Sequence, residues 1–123
     1  MIDANLLLRS DAEAALSASE QTRTAVDFGG GDVRPITYLV VVPSVSGTTA
    51  TCDIKIQDSD NGSTWYDFLT FPQILQATAV GTYRRTGLSK RRYRRAYITL
   101  GGTTPNFGLT LIAPTVSGDG LDL

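Results

Sequence analysis

The stretch from Thr51 to Phe71 constrains this chain most. Cys52, Ile54 and Ile56 alternate with Asp53, Lys55 and Gln57. A period of two, with one apolar and one polar face, specifies a half-buried strand. Asp58 to Thr64 then interrupts the apolar residues with Asp, Ser, Asn and Gly. Asp and Asn bond their own backbone, and Gly62 takes positive φ without a steric penalty. Trp65 to Phe71 resumes as a second strand. The stretch is therefore expected to be an antiparallel hairpin, with Cys52, Ile54 and Ile56 set into a core.

The rest of the chain repeats this grammar of short alternating runs and turn residues. Thr22 to Phe28 alternates and reads as a strand, ended by Gly29-Gly30-Gly31-Asp32. That glycine run lacks the lysine, serine and following helix of a phosphate loop, so it reads as a flexible connection. Pro35 to Val42 carries Tyr38, Val40 and Val42 on one face and Leu39 and Val41 on the other. Two apolar faces predict a central strand or one flanked by a subunit contact. Pro43 closes it, and Ser44 to Thr49 reads as a loop. After Phe71-Pro72, residues 73–81 read as a loop with a short strand, and Thr82 to Thr86 as a pairing segment. Tyr93 to Leu100 is a strand with Ala96, Ile98 and Leu100 facing one way. Gly101 to Asn106 is expected to form a loop. Phe107 to Ile112 is expected as the last strand, before a tail from Pro114 to Leu123. Seven or eight short strands predict an all-β fold, an antiparallel β-sandwich or jelly roll, with no internal repeat.

The 123 residues are expected to form a single domain spanning 1–123, with 1–21 an N-terminal arm. A domain of this size buries roughly 65% of its unfolded surface, enough for one core without staples. Within the arm, Ser10 and Glu13 stand at capping-box spacing before alanines, which permits a short helix. Ala12, Ala14, Leu16 and Ala18 also fall on one face of a strand, and the all-β context favours an extended arm. Leu6, Leu7 and Leu8 give the arm an apolar surface that must pack on this domain or on a neighbour.

Chemistry-bearing residues are few. The chain has no histidine, so no histidine triad, relay or zinc site can be assembled. The single cysteine, Cys52, lies on the apolar strand face and reads as a small buried hydrophobe. Asp58-Ser59-Asp60-Asn61-Gly62 alternates oxygen ligands, but in a calcium-loop register glycine falls one place early and Leu69 stands where glutamate belongs. Asp58-x-Asp60-x-Gly62-x-Thr64-Trp65 resembles the Asp-box turn of sialidases, though serine normally opens that motif and it recurs once per blade. Asp58 and Asp60 are expected in an exposed turn, which gives neither carboxyl the burial that acid–base work needs. No enzyme, cofactor or metal is expected. No apolar run approaches membrane-spanning length, and no signal-peptide pattern opens the chain. The expected place of synthesis is a cytoplasm, with export only as part of a larger particle.

Charge is unevenly placed. Net charge is −1, yet Arg84, Arg85, Lys90, Arg91, Arg92, Arg94 and Arg95 hold seven of eleven basic residues. No acid occurs from Phe68 through Thr115. The functional reading is a patch that docks an acidic surface or phosphate, with Tyr83, Tyr93 and Tyr97 adding amphipathic contacts. The alternative is a solvated rim paired with the chain's own acids. Nucleic acid is not expected as a partner, because its binders are basic overall.

Three stretches resemble one family. Met1 to Ala14 (MIDANLLLRSDAEA) running on to Ala25-Val26-Asp27-Phe28-Gly29, the hairpin from Asp53 to Trp65, and the run from Arg94 to Phe107 together resemble small capsid cement proteins of tailed bacteriophages, of the Bordetella-phage type. The resemblance implies a jelly-roll protein that oligomerises, commonly as a dimer. It implies a place on the outside of a phage head, clamping neighbouring capsomers of the major capsid protein. Such a virion protein is made in the bacterial host cytoplasm and carries no active site. The contact candidates are Arg84, Arg85, Arg91, Arg92, Tyr93, Arg94 and Arg95, with Leu6, Leu7 and Leu8 of the arm. A second reading is a carbohydrate-binding module on a virion surface, with Trp65, Tyr66 and Tyr97 stacking on sugars. Against it, the strand phase after the turn places Trp65 in the core.

Overall fold

The computed structural model describes residues 7–10, 12–28 and 35–115. Among these the chain builds two antiparallel sheets from eight strands. They are β1 (Val26–Asp27), β2 (Ile36–Val42), β3 (Ser46–Ser59), β4 (Tyr66–Thr70), β5 (Ile74–Leu75), β6 (Gly81–Gly87), β7 (Tyr93–Asn106) and β8 (Leu111–Thr115). One sheet runs β1-β7-β3-β4 with β5 also paired to β3, and the other runs β6-β2-β8. The fold is an all-β sandwich, and no α-helix occurs among the described residues.

The expected hairpin forms. β3 pairs antiparallel with β4 from Lys55↔Thr70 to Asp58↔Tyr66, with a register shift between Ile56 and Gln57. Cys52, Ile54 and Ile56 from β3 and Ala96 and Ile98 from β7 are all buried. They share one core with Tyr38, Val40 and Val42 of β2 and Ile112 of β8. β2 is the central strand of its sheet, as its two apolar faces predicted, and Leu39 on its second face is 4% exposed.

Four segments differ from the sequence reading. Ser46 to Thr49 is not loop, and Gly101 to Asn106 is not a turn: β3 and β7 pair irregularly from Ser46↔Asn106 onward, with register shifts at Thr48. The glycines serve bulges rather than a chain reversal. Gly102 has φ +93°, and a Cβ there would sit 2.5 Å from the Thr49 carbonyl oxygen. The last strand begins at Leu111 rather than Phe107. Asn106 Oδ1 accepts from Gly108 N at 2.8 Å, and the Thr110 hydroxyl donates to Phe107 O at 2.8 Å, which turns the chain there. Phe107 still reaches the core, whereas Leu109 is 49% exposed. Finally, the strand expected over Thr22 to Phe28 shrinks to two residues facing Arg94 and Tyr93.

The described part of the arm, residues 7–10 and 12–21, is extended and lies on its own domain. Ser10 N donates to Glu13 Oε2 at 2.9 Å and Ser10 Oγ accepts from Ala12 N at 3.0 Å. The capping-box bonding thus closes a turn without starting a helix. Arg9 bridges to Ile112 and Glu20 bridges to Ile98, while Leu16 exchanges backbone bonds with Phe107 and Gly108. Backbone pairing with β7 and β8 supplies what a short alanine helix lacks. The glycine connection at 29–32 and the tail beyond Thr115 lie outside the described residues.

Candidate interaction surface

The basic segment divides into two groups with different surroundings. Arg84 and Arg85 sit mid-way along β6, an outer strand of the smaller sheet, and both are exposed. Arg85 donates to the Arg84 carbonyl at 3.0 Å. Neither meets a carboxylate among the described residues. Lys90, in the loop between β6 and β7, is also exposed. These residues form the free positive surface of the segment.

The remaining arginines are used by the molecule itself. Arg94 was expected at the contact surface, but it is 4% exposed. It shares the inward strand phase of Ala96 and Ile98, so its side chain enters the sandwich. It donates to the Tyr38 hydroxyl at 2.8 Å and to the Ser89 and Arg91 carbonyls at 3.1 and 3.3 Å. Its guanidinium lies 4.4 Å from the Phe28 ring centroid and 5.9 Å from that of Phe68. Flat, delocalised and weakly hydrated, a guanidinium suits such a site where an ammonium does not.

Asp58 supplies the neighbouring negative charge. It is 3% exposed rather than solvated, because β3 runs on past the expected turn and the phase of Cys52, Ile54 and Ile56 carries it inward. The Ser89 hydroxyl donates to it at 2.7 Å and Arg91 at 3.4 Å. Arg91 Nε lies 3.5 Å from an Asp60 oxygen. The Arg91 guanidinium also lies 4.2 Å over the Tyr66 ring. The turn proper is Asp60 to Thr64. There Ser59 Oγ accepts from the amides of Asn61 and Gly62, and Asn61 Oδ1 from those of Ser63 and Thr64. Among the described residues no cluster of three or more Cys, Asp or Glu side chains is placed to hold a metal.

Cations also cover the outer aromatic residues. Arg95 stacks 4.3 Å from the Trp65 ring and donates to Gln57 Oε1 at 2.9 Å. Lys55 lies 4.8 Å from the Tyr97 ring, and Arg92 lies 5.5 Å from that of Tyr93. Trp65 is half-buried on the sheet's outside, not in the core, because the chain leaves the turn one residue before β4 begins. A sugar stacking on the same ring face would have to displace the cation. Arg92 forms a two-bond pair with Asp27 at 2.7 and 2.8 Å, on the surface. That bond strengthens its hold on its proton and raises its pKa.

Of the arm candidates, Leu6 lies outside the described residues. Leu7 is half-buried, and Leu8 is 2% exposed within this chain's own core, so Leu8 offers nothing to a neighbour. A charged cluster that the sequence reading missed pins the arm. Arg9, 1% exposed, donates to both Glu20 carboxylate oxygens at 3.0 and 3.1 Å, to Thr110 O at 2.8 Å and to Ala14 O at 2.7 Å. Arg23 pairs with Glu20 and, at 2.7 Å, with Glu13. The Arg23 hydrogen bond holds the Glu13 carboxyl below its usual range. Burial pushes the Cys52 thiol up to about 12, which makes it inert near neutral pH.

Compared with known proteins, the sequence matches no protein-family model and no curated protein.

Proposed function

We propose that this chain is a structural virion protein, a non-enzymatic capsid cement protein that binds the outer surface of a tailed-phage head and bridges capsomers of the major capsid protein. The observation that carries the reading is the exposed pair Arg84 and Arg85 on an outer strand, with no carboxylate opposite either among the described residues. Unpaired arginines at a protein surface favour a partner that brings carboxylates, since the fork-shaped guanidinium pairs two oxygens at once. The resemblance of the arm, hairpin and Arg94–Phe107 stretches to phage cement proteins supplies the kind of partner. Self-association as a dimer belongs to the same proposal.

The test is direct. Purified protein is added to expanded capsids lacking it, and the particles are sedimented and melted. Co-sedimentation with a raised particle melting temperature supports the proposal; unchanged melting at saturating protein overturns it. A glycan array probes the carbohydrate-binding alternative in parallel, and specific hits there would replace the cement reading.

A further inference from the structure

We infer that β6 is a docking edge that accepts an extended acidic segment of a partner protein as an added strand. The inference rests on the proposed function for the partner being a protein, and goes beyond it in naming the place, the geometry and the partner's charge.

Strand edges are the first consideration. An outer strand presents unpaired N–H and C=O groups and is a template for another strand. In this molecule the segment that precedes β2 covers two of these edges. Arg9 bonds to Ile112 on the outer side of β8, and β1 together with Glu20 covers β7. β6 spans seven residues and pairs with β2 along its whole length, from Ile36↔Gly87 to Val42↔Gly81. Its other side makes no backbone hydrogen bond to any described residue. β4, the next uncapped outer strand, has five residues. β6 is therefore the longest open edge among the described residues.

The side chains on β6 agree. Thr82, Arg84 and Thr86 share one strand phase and are all exposed. Val80 and Leu88, immediately beyond the two ends of the strand, are 61% and 47% exposed and bracket it with apolar side chains. Apolar ends around a charged centre give an added strand both burial and orientation.

Charge selects the occupant. Arg84 is the middle residue of β6, so a second copy paired antiparallel along the whole strand about a two-fold axis would set Arg84 opposite Arg84, with Arg85 beside it. Like charges facing each other across strands are destabilising. β6 contains no acid to offset them, and no acid occurs from Phe68 through Thr115. A strand carrying Asp or Glu opposite Arg84 and Arg85 turns the same geometry favourable.

Two measurements test this. In the first, amide hydrogen exchange of the intact chain is followed with a synthetic ten-residue peptide of Val and Thr carrying two adjacent Glu at its centre, one for each face of the added strand, and with the same peptide carrying Lys for Glu. The expected result is slowed exchange at Gly81–Gly87 with the Glu peptide only. Affinity should drop about tenfold in the doubly substituted Arg84→Glu/Arg85→Glu chain, and the difference should shrink as salt rises. Both arginines are exposed, so the variant folds, and its own thermal melt checks that. No protection of β6 overturns the inference, as does equal protection by the Lys peptide or protection mapping elsewhere. In the second, the same variant is added to capsids. Wild-type binding with undiminished variant binding overturns the docking edge while leaving the cement function standing. Peptide capture at β6 without capsid binding does the reverse.

Discussion

The Arg94 guanidinium of β7 donates to the Tyr38 hydroxyl of β2 at 2.8 Å, joining the two sheets through their shared interior. Both residues are buried, with Phe68 edge-on to Tyr38 at 6.0 Å and Phe28 tilted at 6.4 Å. The Tyr38 hydroxyl, two carbonyls, two rings and the nearby Asp58 take the place of water around the charge, and Nε alone of its nitrogens has no hydrogen-bond partner among the described residues.

Replacing Arg94 should therefore destabilise the fold strongly. Arg94→Ala should cost about 3 kcal/mol, since it strips Tyr38 and two carbonyls of a donor and leaves Asp58 with less compensation. Arg94→Lys should not restore stability, because a single ammonium cannot approach the rings as a planar group while donating to three acceptors. Tyr38→Phe should cost about 1–2 kcal/mol by leaving a second guanidinium nitrogen, beside Nε, without a partner. Urea unfolding of the three variants reads the order directly; a stable Arg94→Lys chain would contradict the stacking account.

Alkaline pH should weaken the protein in two stages. Burial pushes Cys52 from 9.0 up to about 12, and Tyr38 from 10.0 up to about 12, the latter against the opposing pull of Arg94. Both are acids held neutral in the folded state, so above their ordinary values the unfolded chain releases the proton first. The contribution is whole below pH 9, declines from 9 as the unfolded thiol ionises, and declines faster from 10 when tyrosine joins. Each group adds a slope of about 1.4 kcal/mol per pH unit until its folded value is reached. Cys52→Ala should abolish the decline between 9 and 10 and leave the later one. A urea midpoint followed from pH 8 to 11 checks this.

Much of the interior could be read from alternation alone. Cys52, Ile54 and Ile56, then Tyr38, Val40 and Val42, then Ala96 and Ile98, all face the core as the period of two requires. The same phase extended by one step each way reaches Asp58 and Arg94, and the structure buries both. The rule that charges stay outside suppressed that step, because a single strand does not reveal the partner across the sandwich that makes burial tolerable. Nothing local marks Arg9 either. Its acceptors are Glu20, Ala14 and Thr110, and only the folded chain brings Thr110 to it. The strands lost in glycine-rich sequence, Ser46–Ala50 with Gly101–Asn106, were hidden because bulged pairing breaks the alternation that identifies a strand.

Arg9 should control the arm. Arg9→Ala removes a buried guanidinium from four acceptor atoms, and a loss of about 3 kcal/mol is expected, moderated by Arg23, which still pairs with Glu20. Hydrogen exchange should quicken first at Leu8, Leu16, Glu20 and Ile112, whose amides take part in arm pairing. Acceleration spread evenly over both sheets would show that the arm has no separate stability.

Glycine is required at the bulges. Gly47 has φ +115°, and a Cβ there would approach the Thr104 carbonyl oxygen to 2.6 Å. Gly47→Ala and Gly102→Ala should each cost more than ~1 kcal/mol, through strain at positive φ as well as the clash. Gly62, at φ +77° with open space around it, should lose less on the same change. Thermal melts of the three variants rank these effects.

The pairing of the arm with the far end of the chain also fixes an order of events. Arg9 reaches Thr110 across 101 positions of sequence, so its seat does not exist until β7 and β8 have left the ribosome. At typical synthesis rates that interval is on the order of ten seconds, and during it Leu8 and Leu16 have no cover. The arm is consequently the last part able to close. Until it does, the seat of one chain is open to the arm of another, so nascent copies crowded on one message are exposed to exchanging arms before each can fasten its own.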